Sequence, residues 1–566
     1  MRSARYREQR EGIWRRRLRV VVALALVGGV VFLATTKLEW HRPTGELLHP
    51  VDALGRTSTI DVHLADAQTG LSRARVEIEA GGTRTVLASE DYPAASWRRS
   101  TAMETTLSVP LQAIERKIPE GPATIRVYAD DYSWLRFVRG ERPTIEVAAT
   151  IDLTPPTLEV LSTEHYVKVG GAEFVLYKVS SDATQSGVQV DKYFFPGTAG
   201  LFDDAAIHAA FFAVPQDLDT RAMPKAVAVD AAGNRREVNF HTVVKPRRFA
   251  DKTLVLDDDF LQRKVPEILS ATNSPPQADL VQGYLFINRT LRKWSEERIH
   301  EATRTSAKTP LWDGAFFRQP NSSPLSGFAD RRSYVYQGKV IDNQTHLGFD
   351  LASLRQSPVT AANNGTVVFA GPLAIYGDAI IIDHGLGIFS LYGHLSAITT
   401  QVGASVQRGD VIGRTGETGL AGGDHLHFSV MLWGTHIDPV EWWDGKWIHD
   451  HVTAKIDAYP HTTLTARRDG TLGGPCQRAT TRRARTRTSF SARPASRRTT
   501  RTRRGSCRSR AATPRSISRS WRASHASPTR RTRPRSVASR RTRRVPDRKP
   551  SSKRRGERSI SSASAA

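Results

Sequence analysis

The stretch D-H-L-H-F, at Asp424 to Phe428, decides the fold of the region around it. In a strand, side chains alternate between two faces, so His425 and His427 point one way while Leu426 and Phe428 point the other. Two imidazoles on one strand face stand roughly 7 Å apart, so one can bind a metal ion while the other touches a water on that ion. The pattern predicts one polar face with metal chemistry and one apolar face in a core.

Two further histidine motifs precede this strand, T-H-L-G-F-D at Thr345 to Asp350 and L-Y-G-H-L at Leu391 to Leu395. A tetrahedral catalytic zinc ion needs three protein ligands and an open fourth position. His346 and Asp350 could supply the two ligands that D-H-L-H-F leaves missing. The three motifs together predict one zinc site.

These motifs, in this order and within glycine-rich strands, resemble the lysostaphin/LytM-type zinc metallopeptidases that cut peptidoglycan peptides. The resemblance spans roughly a fifth of the chain and includes N-G-T-V-V-F-A-G (Asn364 to Gly371), I-I-I-D-H-G (Ile380 to Gly385), V-Q-R-G-D-V-I-G-R-T-G (Val406 to Gly416) and I-D-P (Ile437 to Pro439). It implies that His346, Asp350 and His427 bind one Zn²⁺ per peptidase domain. It also implies that His394 and His425 are the catalytic partners.

The reaction implied by the resemblance is hydrolysis of a peptide bond. A zinc ion lowers the pKa of a bound water to about 7, and a nearby imidazole can accept the water's proton and return it to the leaving amine. His384 and His436 have no partner at ligand spacing, so we predict that both are turn or surface histidines.

The fold implied for residues 312–455 is a compact antiparallel β-sheet domain of the duplicated hybrid motif type, with zinc in an open groove that admits a flexible peptide. Short apolar runs bounded by glycines agree with it. These runs are Val367 to Ala370, Ala379 to Asp383, Ile388 to Tyr392 and Val411 to Gly413. We expect Trp442, Trp443 and Trp447 to cover the end of the domain.

The net charge of +26 belongs to the end of the chain. From Arg467 onward there are 32 Lys and Arg residues and 3 Asp and Glu residues. The part of the chain before Arg467 has 50 Lys and Arg residues and 53 Asp and Glu residues. High positive charge ordinarily indicates a nucleic-acid or membrane partner, but the front of this protein is close to neutral. Both cysteines, Cys476 and Cys507, lie in the same tail, which argues against a disulfide scaffold and a thiolate zinc site.

The N-terminus combines a basic segment, 1–19, with the uncharged segment Val20 to Thr36. Seventeen helical residues span about 26 Å, the short end of what crosses a bilayer. Because the arginines before it favour a cytoplasmic N-terminus, we predict a single-pass signal-anchor at 20–36 in the cytoplasmic membrane, with the peptidase on the periplasmic or extracellular side. A cleaved signal peptide is the alternative, for which L-A-T-T-K-L-E is a poor cleavage site.

Between the anchor and the peptidase the chain is predicted to be mainly β at first. Period-two alternation, as in Ile60, Val62 and Leu64, with short strands and frequent turns predicts a β-sandwich module at 50–152. After the break at Asp152 to Pro156 we predict a second module at 153–247, which is immunoglobulin-like because A-V-A-V-D-A-A-G-N (Ala226 to Asn234) resembles the last hairpin of bacterial domains of that kind.

From Asp257 the apolar spacing becomes helical, which predicts a helical segment at 248–311. A helix from Pro276 would align the apolar side chains Leu280, Tyr284, Ile287, Leu291 and Trp294 on one face. Such a face is usually a packing surface. A second hypothesis is that the segment docks on the peptidase and regulates access to the zinc ion, with Trp312 to Phe328 as a loop or lid at the mouth of the groove.

The segment 456–566 is predicted to be a disordered Arg-rich tail, because apolar periodicity stops there. Such a tail could bind nucleic acid or anionic lipid through phosphates. A nucleic-acid partner is nevertheless disfavoured, since the anchor would place the tail outside the cytoplasm and since the tail has few of the aromatics of single-strand binders. The abrupt change is also typical of an out-of-frame reading of a GC-rich gene, which we favour over a functional tail.

The sequence as a whole predicts a membrane-anchored, extracytoplasmic zinc endopeptidase that acts on peptidoglycan peptides. Its other expected partners are the inner membrane, through the N-terminal helix, and cell-wall or divisome proteins of the envelope. The alternative is a non-catalytic wall-binding scaffold or an activator of another cell-wall hydrolase. The complete ligand set argues against that alternative, because relatives without activity are expected to lack some ligands.

Overall fold

The structure is a computed structural model that describes residues 2–95 and 100–460. Residues 461–566 lie outside the described part of the chain. The predictions for Cys476, for Cys507 and for the Arg-rich tail from residue 461 onward concern these residues. The folded chain continues slightly past the predicted boundary at 455, since Ile456 is buried. Its side chain belongs to the same apolar core as the peptidase sheet.

The N-terminal helix α1 covers Arg2–Lys37 and is therefore longer than the predicted anchor at 20–36. In the described part of the chain, its segment Trp14–Thr35 is the one stretch of helix whose length and apolar composition would suit a membrane span. Large apolar side chains along it, such as Leu24, Leu26 and Val30, are exposed. A signal sequence would share these properties.

The first β module consists of two sheets that pack on one apolar core. One sheet has the strand order β1-β3-β6 and the other β2-β8-β7-β4-β5. The strands are β1 Thr44–Leu47, β2 Ala53–Leu54, β3 Thr59–Ala65, β4 Leu71–Ala80, β5 Thr83–Asp91, β6 Glu104–Pro110, β7 Gly121–Asp131 and β8 Ile145–Ile151, with the short helix α2 Arg136–Arg139 before β8. The alternation predicted for Ile60, Val62 and Leu64 is confirmed, because all three are fully buried.

The second β module also has two main sheets, of order β14-β11-β9 and β13-β12-β15-β16, and a parallel pair, β10 with β17. Its strands are β9 Leu158–Val160, β10 Tyr166–Lys168, β11 Ala172–Val179, β12 Ala183–Val190, β13 Tyr193–Pro196, β14 Ile207–Ala213, β15 Lys225–Asp230, β16 Arg235–Asn239 and β17 Val243–Lys245. The predicted hairpin at Ala226 to Asn234 is present as β15 and β16. The immunoglobulin-like character of the module stays a prediction.

The segment 248–311 is not wholly helical, because it begins with strand β18 Asp251–Leu256. Helix α3 Asp258–Ala271 follows, and the Asp257 carboxylate caps it by accepting a hydrogen bond from the Phe260 N–H. The second helical run comprises α4 Leu280–Phe286, a π-helical turn at Ile287–Leu291 and α5 Arg292–Ala302. The sequence pattern did not reveal β18 because this strand pairs with residues 331–336, far along the chain.

The helical segment packs on one face of the peptidase sheet, so the apolar face predicted from the spacing is a packing surface. Tyr284 and Ile287 are buried in a core that also contains Ile381 and Phe389 of the sheet. Trp294, which the spacing assigned to the same face, is instead 40% exposed, because the π-helical turn after α4 shifts the helical register.

The peptidase region is an antiparallel sheet of ten strands, whose main path is β19-β22-β29-β26-β25-β24-β27. Its strands are β19 Ser323–Ser326, β22 Phe349–Ala352, β23 Pro358–Thr360, β24 Gly365–Pro372, β25 Asp378–Gly385, β26 Ile388–Ile398, β27 Ser405–Val406, β28 Val411–Thr415, β29 Leu426–Leu432 and β30 Thr435–Ile437. A smaller sheet, β18-β20-β21, is built with β20 Arg331–Tyr336 and β21 Lys339–Thr345. The predicted strands of this region are confirmed.

Short helices close the domain and join it to the second β module. They are α6 Pro439–Trp443, α7 Gly445–Ile448, a π-helical turn at His449–Thr453 and α8 Ala454–Asp457. Trp442 is fully buried and its ring lies 5.6 Å from that of Phe211 of β14 and 5.4 Å from that of Phe316. The second β module and the peptidase sheet therefore share one apolar core.

Candidate metal centre

Three side chains converge at one point on the polar face of the peptidase sheet. His346 Nε2 lies 2.9 Å from Asp350 Oδ1 and 3.0 Å from His427 Nδ1, and His427 Nδ1 lies 3.1 Å from Asp350 Oδ1. All three side chains are buried. The prediction that these residues lie together as a candidate ligand set agrees with this geometry.

Strand pairing brings the distant motifs together. In the antiparallel pair β22 and β29, Asp350 stands directly opposite His427, and on the other side of β29, His427 stands opposite Gly393 of β26. Gly348 is required by close approach, because a Cβ atom there would lie 2.3 Å from His427 Nε2. The glycine of the T-H-L-G motif thus makes room for the histidine of D-H-L-H-F.

Each of the three converging groups is oriented by a contact behind it. His346 Nδ1 donates to the Gly327 carbonyl at 2.9 Å. The Ser429 hydroxyl donates its one proton to a backbone carbonyl, so it must accept the hydrogen bond from His427 Nε2, at 3.1 Å. Asp350 Oδ2 accepts from Arg332 Nη2 at 2.8 Å. Such outer contacts fix the tautomer and the ring orientation of metal-binding histidines.

These contacts make the residues fit a divalent cation. When both rings are neutral, the protons lie on His346 Nδ1 and His427 Nε2, which donate away from the cluster. His346 Nε2 and His427 Nδ1 then present lone pairs, and Asp350 adds a carboxylate lone pair at the same point. In that neutral form, a cation at the point where the three acceptors meet would offset their mutual repulsion. Two imidazole nitrogens and one carboxylate oxygen form a zinc donor set, for which tetrahedral coordination places the donors about 3.3 Å apart.

The other two predicted histidines line the same site. The rings of His394 and His425 are 4.8 Å apart, and His425 Nε2 lies 3.6 Å from Asp350 Oδ1. His394 Nδ1 donates to the Thr418 carbonyl at 2.8 Å, and His425 Nδ1 donates to the Gly423 carbonyl at 2.8 Å. His394 has a φ of 62°, a strained backbone conformation for a residue other than glycine, and such strain clusters at functional sites.

The environment of the site shifts the pKa of its groups in opposite directions. Burial alone would raise the pKa of Asp350, but the neighbouring histidines outweigh it and hold that pKa well below its usual value. Burial, together with the neighbouring imidazoles of His425 and His427, lowers the pKa of His394. For His425, burial acts to lower the pKa, but the hydrogen bond and charge of Asp350 prevail and raise it.

The cluster lies in an open cavity of about 590 Å³. One wall is built by the segment 248–311, through Leu256, Phe260 and Arg263, and another by Leu325 of β19. The cavity is also lined by all five predicted site residues, by Arg332 and by Tyr376. The helical segment and part of the predicted loop at Trp312 to Phe328 therefore border the approach to the site.

A buried polar network links the helical segment to the back of the site. Glu296 of α5 accepts a hydrogen bond from Tyr376 Oη at 2.9 Å and pairs with His436 Nε2 at 3.2 Å. The Tyr376 ring packs 5.1 Å from that of His427. The motif search missed Glu296 and Arg332 because both lie outside the histidine motifs and act across strands and helices far apart in the chain.

The prediction that His384 and His436 are turn or surface histidines is wrong. Both are buried. His384 lies inside β25, where Nδ1 donates to the Asn364 carbonyl and Nε2 contacts Ser390 Oγ, both at 2.7 Å. Polar partners of this kind allow an imidazole to be buried, and the turn lies after His384, at residues 386–387. Neither residue belongs to the converging set.

Two histidines and one carboxylate that converge in an open cavity form a donor set that catalytic zinc sites use. Residues 344–439 match the sequence profile described as "Peptidase family M23". The chain therefore contains a peptidase M23 domain.

The two curated relatives named next match this domain and not the whole chain, which spans less than a third of the length of either. DD-carboxypeptidase/endopeptidase Mpg of Neisseria meningitidis is 40% identical over 95 residues, which are 17% of this chain and 22% of that protein. Peptidoglycan DD-endopeptidase ShyA of Vibrio cholerae is 32% identical over 130 residues, 22% of this chain and 30% of that protein. The catalytic domain of lysostaphin from Staphylococcus simulans is 28% identical with a TM-score of 0.19, and the match covers 22% of this chain and 92% of that structure.

Proposed function

We propose that this protein is a membrane-anchored, extracytoplasmic zinc endopeptidase that hydrolyses peptide bonds of cell-wall peptidoglycan. The observation that carries the proposal is the convergence of three possible metal-binding atoms, from His346, Asp350 and His427, within 3.1 Å of one another in an open cavity. The name of the Vibrio cholerae relative, a peptidoglycan DD-endopeptidase, supports peptidoglycan as the substrate class.

A zinc ion held by these three residues would supply a Lewis acid and a water of lowered pKa, about 7. The protein's own contribution starts with His394. Because its Nδ1 donates to the Thr418 carbonyl, the neutral ring keeps an unprotonated Nε2. That nitrogen can take a proton from the attacking water and return it to the leaving amine, which is the task of a general base and acid.

His425 has a different task, because Asp350 lies 3.6 Å from its Nε2 and favours its charged form. A protonated imidazole donates from both nitrogens. In this site one donates to the Gly423 carbonyl, and the other can donate to the oxygen on which negative charge develops. The pair thus divides proton transfer and oxyanion stabilisation between two rings 4.8 Å apart.

The cavity suits an extended peptide better than a folded protein, because its volume of about 590 Å³ holds a few side chains and not a domain. Localisation follows from α1, whose apolar part Trp14–Thr35 comes after an N-terminus rich in arginine. By the positive-inside tendency, the arginines stay in the cytoplasm and the M23 domain lies outside.

The test is digestion of purified peptidoglycan by the full-length protein in detergent. We expect soluble wall peptides to be released, release to stop after treatment with a chelator, and one equivalent of Zn²⁺ to restore it. The exposed histidine His449 offers a matched control, since His449→Ala should digest like the unsubstituted protein. Stoichiometric zinc without any cleavage would contradict the proposal and favour a scaffold that binds the wall or activates another hydrolase.

A further inference from the structure

The first β module exposes a group of large apolar side chains close to the end of the apolar helix. Trp40, Phe137 and Val138 are 79%, 76% and 83% exposed. Two arginines, Arg42 and Arg142, are exposed beside them, and within the described residues neither forms an ion pair with a carboxylate. We call these five residues the juxtamembrane patch. Large apolar side chains grouped with arginines and exposed to solvent indicate a binding surface.

The patch is tied to the end of α1 by hydrogen bonds. The Trp134 N–H donates to the Lys37 carbonyl at 2.9 Å, and the Glu39 N–H donates to Ser133 Oγ at 3.1 Å. The guanidinium of Arg139 donates to the carbonyls of Glu39 and His41. The segment 133–139, which includes α2, therefore runs beside residues 37–41, and no free linker separates α1 from the module.

This attachment sets the height of the patch relative to a bilayer. The apolar segment Trp14–Thr35 has 22 residues and is about 33 Å long, whereas the hydrocarbon core is about 30 Å thick. Lys37 therefore marks the level at which the chain leaves the hydrocarbon. Three residues of chain reach at most about 11 Å, so Trp40 lies close to the level of Lys37, and Phe137 close to that of Trp134.

The chemistry of the patch fits this level. Tryptophan and other aromatic side chains are enriched at the membrane–water interface, where an apolar ring and its polar neighbours are both accommodated. Arginines at this level can contact the phosphates of lipid headgroups. The acidic neighbour Glu141 is paired with Arg75, so its charge is partly compensated.

We propose that the juxtamembrane patch lies on the outer surface of the lipid bilayer, with Phe137 and Val138 inserted among the headgroups and Arg42 and Arg142 on their phosphates. This inference depends on the proposed anchoring by α1. It adds that the first β module rests on the membrane, instead of extending from it on a flexible tether.

The test uses the full chain with Cys476→Ser and Cys507→Ser, so that a single new cysteine can carry an environment-sensitive fluorophore. The probe is attached at Val138→Cys, and the protein is reconstituted into vesicles of phosphatidylethanolamine and phosphatidylglycerol with or without spin-labelled lipid. The matched control is Met223→Cys, at a residue of the second β module that is 61% exposed. We expect a blue-shifted emission that spin-labelled lipid quenches severalfold more for Val138→Cys than for Met223→Cys.

The possible results separate this inference from the anchoring. A chain that does not float with the vesicles would overturn both. A chain that floats while the Val138→Cys probe emits as in water overturns the patch proposal alone. A blue-shifted probe that lipid does not quench also overturns it, because a protein or a second copy of the chain would then cover the patch. Weaker quenching in the Arg42→Gln, Arg142→Gln double variant than in the unsubstituted chain supports the assigned role of the arginines.

Discussion

Two buried carboxylates in this protein, Asp350 and Glu173, both lie among basic side chains but in different arrangements. Glu173 of β11 is fully buried. Its carboxylate oxygens accept hydrogen bonds from His451 Nδ1 at 2.7 Å and from Lys455 Nζ at 2.8 Å, and both of these residues lie in the short helices that close the domain. Around Asp350, two histidines present bare nitrogens instead, and the cluster opens to a cavity. The Glu173 cluster pairs with protein groups alone, whereas the Asp350 cluster is a group that could also hold a metal ion.

The difference teaches how to tell a structural charge cluster from a metal site when both contain histidine and carboxylate. The decisive feature is where the second nitrogen of each ring donates its proton, since this determines which nitrogen faces the cluster. The Glu173 cluster joins the second β module to the peptidase domain, and the Asp350 cluster joins the strands that carry the histidine motifs. Substitutions in the two clusters should accordingly affect different quantities.

The largest effect is expected for His346→Ala. Removing one of three donors should abolish stoichiometric zinc binding and lower peptidoglycan cleavage on the order of a thousandfold, because about 4 kcal/mol of transition-state stabilisation is lost with the ion. Zinc content and the rate of peptide release measure both effects. His449→Ala is the control, and retention of one zinc per chain by His346→Ala would show that the ligand set is wrong.

The next effect is expected for Glu173→Gln, which leaves Lys455 buried without its countercharge. Breaking a buried pair costs about 3–5 kcal/mol, so the melting temperature should fall clearly while zinc content per folded chain stays at one. Calorimetry and metal analysis on the same sample provide the measurement. The exposed Glu159 gives the control Glu159→Gln, and zinc loss without a change in Tm would reverse the assignment of the two clusters.

An intermediate effect is expected for Arg332→Met. Arg332 donates to Asp350 Oδ2, whereas the atom of Asp350 that converges with the two histidines is Oδ1. Loss of such an outer contact typically lowers metal affinity or activity about 10–100-fold. A competition titration with a zinc chelator measures the affinity. Arg331→Met, at the exposed neighbouring residue, is the control, and equal zinc affinities for the two variants would exclude an orienting role for Arg332.

The smallest effect concerns Glu441, which lies at the same joint as Glu173 and accepts from the Ala172 N–H at 3.0 Å. Burial raises the pKa of Glu441 from 4.5 to about 8. The folded state therefore keeps a proton that the unfolded chain releases. Its stabilising contribution is complete below about pH 4.5 and is lost as the pH rises through about 8.

Glu441→Gln should remove that pH dependence, so the difference in unfolding free energy between the variant and the unsubstituted protein should change by about 2 kcal/mol between about pH 5 and about pH 7. Thermal unfolding across this range measures it, with Glu115→Gln at an exposed residue as the control. Parallel pH curves for the unsubstituted protein and Glu441→Gln would mean that this carboxyl is charged in the folded joint.

Much of the peptidase domain could be predicted from the sequence because its signals are local. Strand alternation placed His425 and His427, and short apolar runs between glycines marked β24, β25, β26 and β28. The contacts of Arg332, Glu296 and Glu173 could not be predicted, because each joins parts of the chain that only the fold brings together. For the same reason β18 was missed and the burial of His384 was not foreseen.

The central claim is that His394 transfers protons during peptide-bond hydrolysis and is not itself a ligand of the metal ion. The most direct measurement is mass spectrometry of peptidoglycan fragments released by the unsubstituted protein and by His394→Ala, each with its zinc content determined. The account predicts one zinc in both proteins, and fragments cut at a peptide bond with the addition of one water from the unsubstituted protein alone. Equal release by both proteins, or no release by the unsubstituted protein with zinc bound, would contradict it.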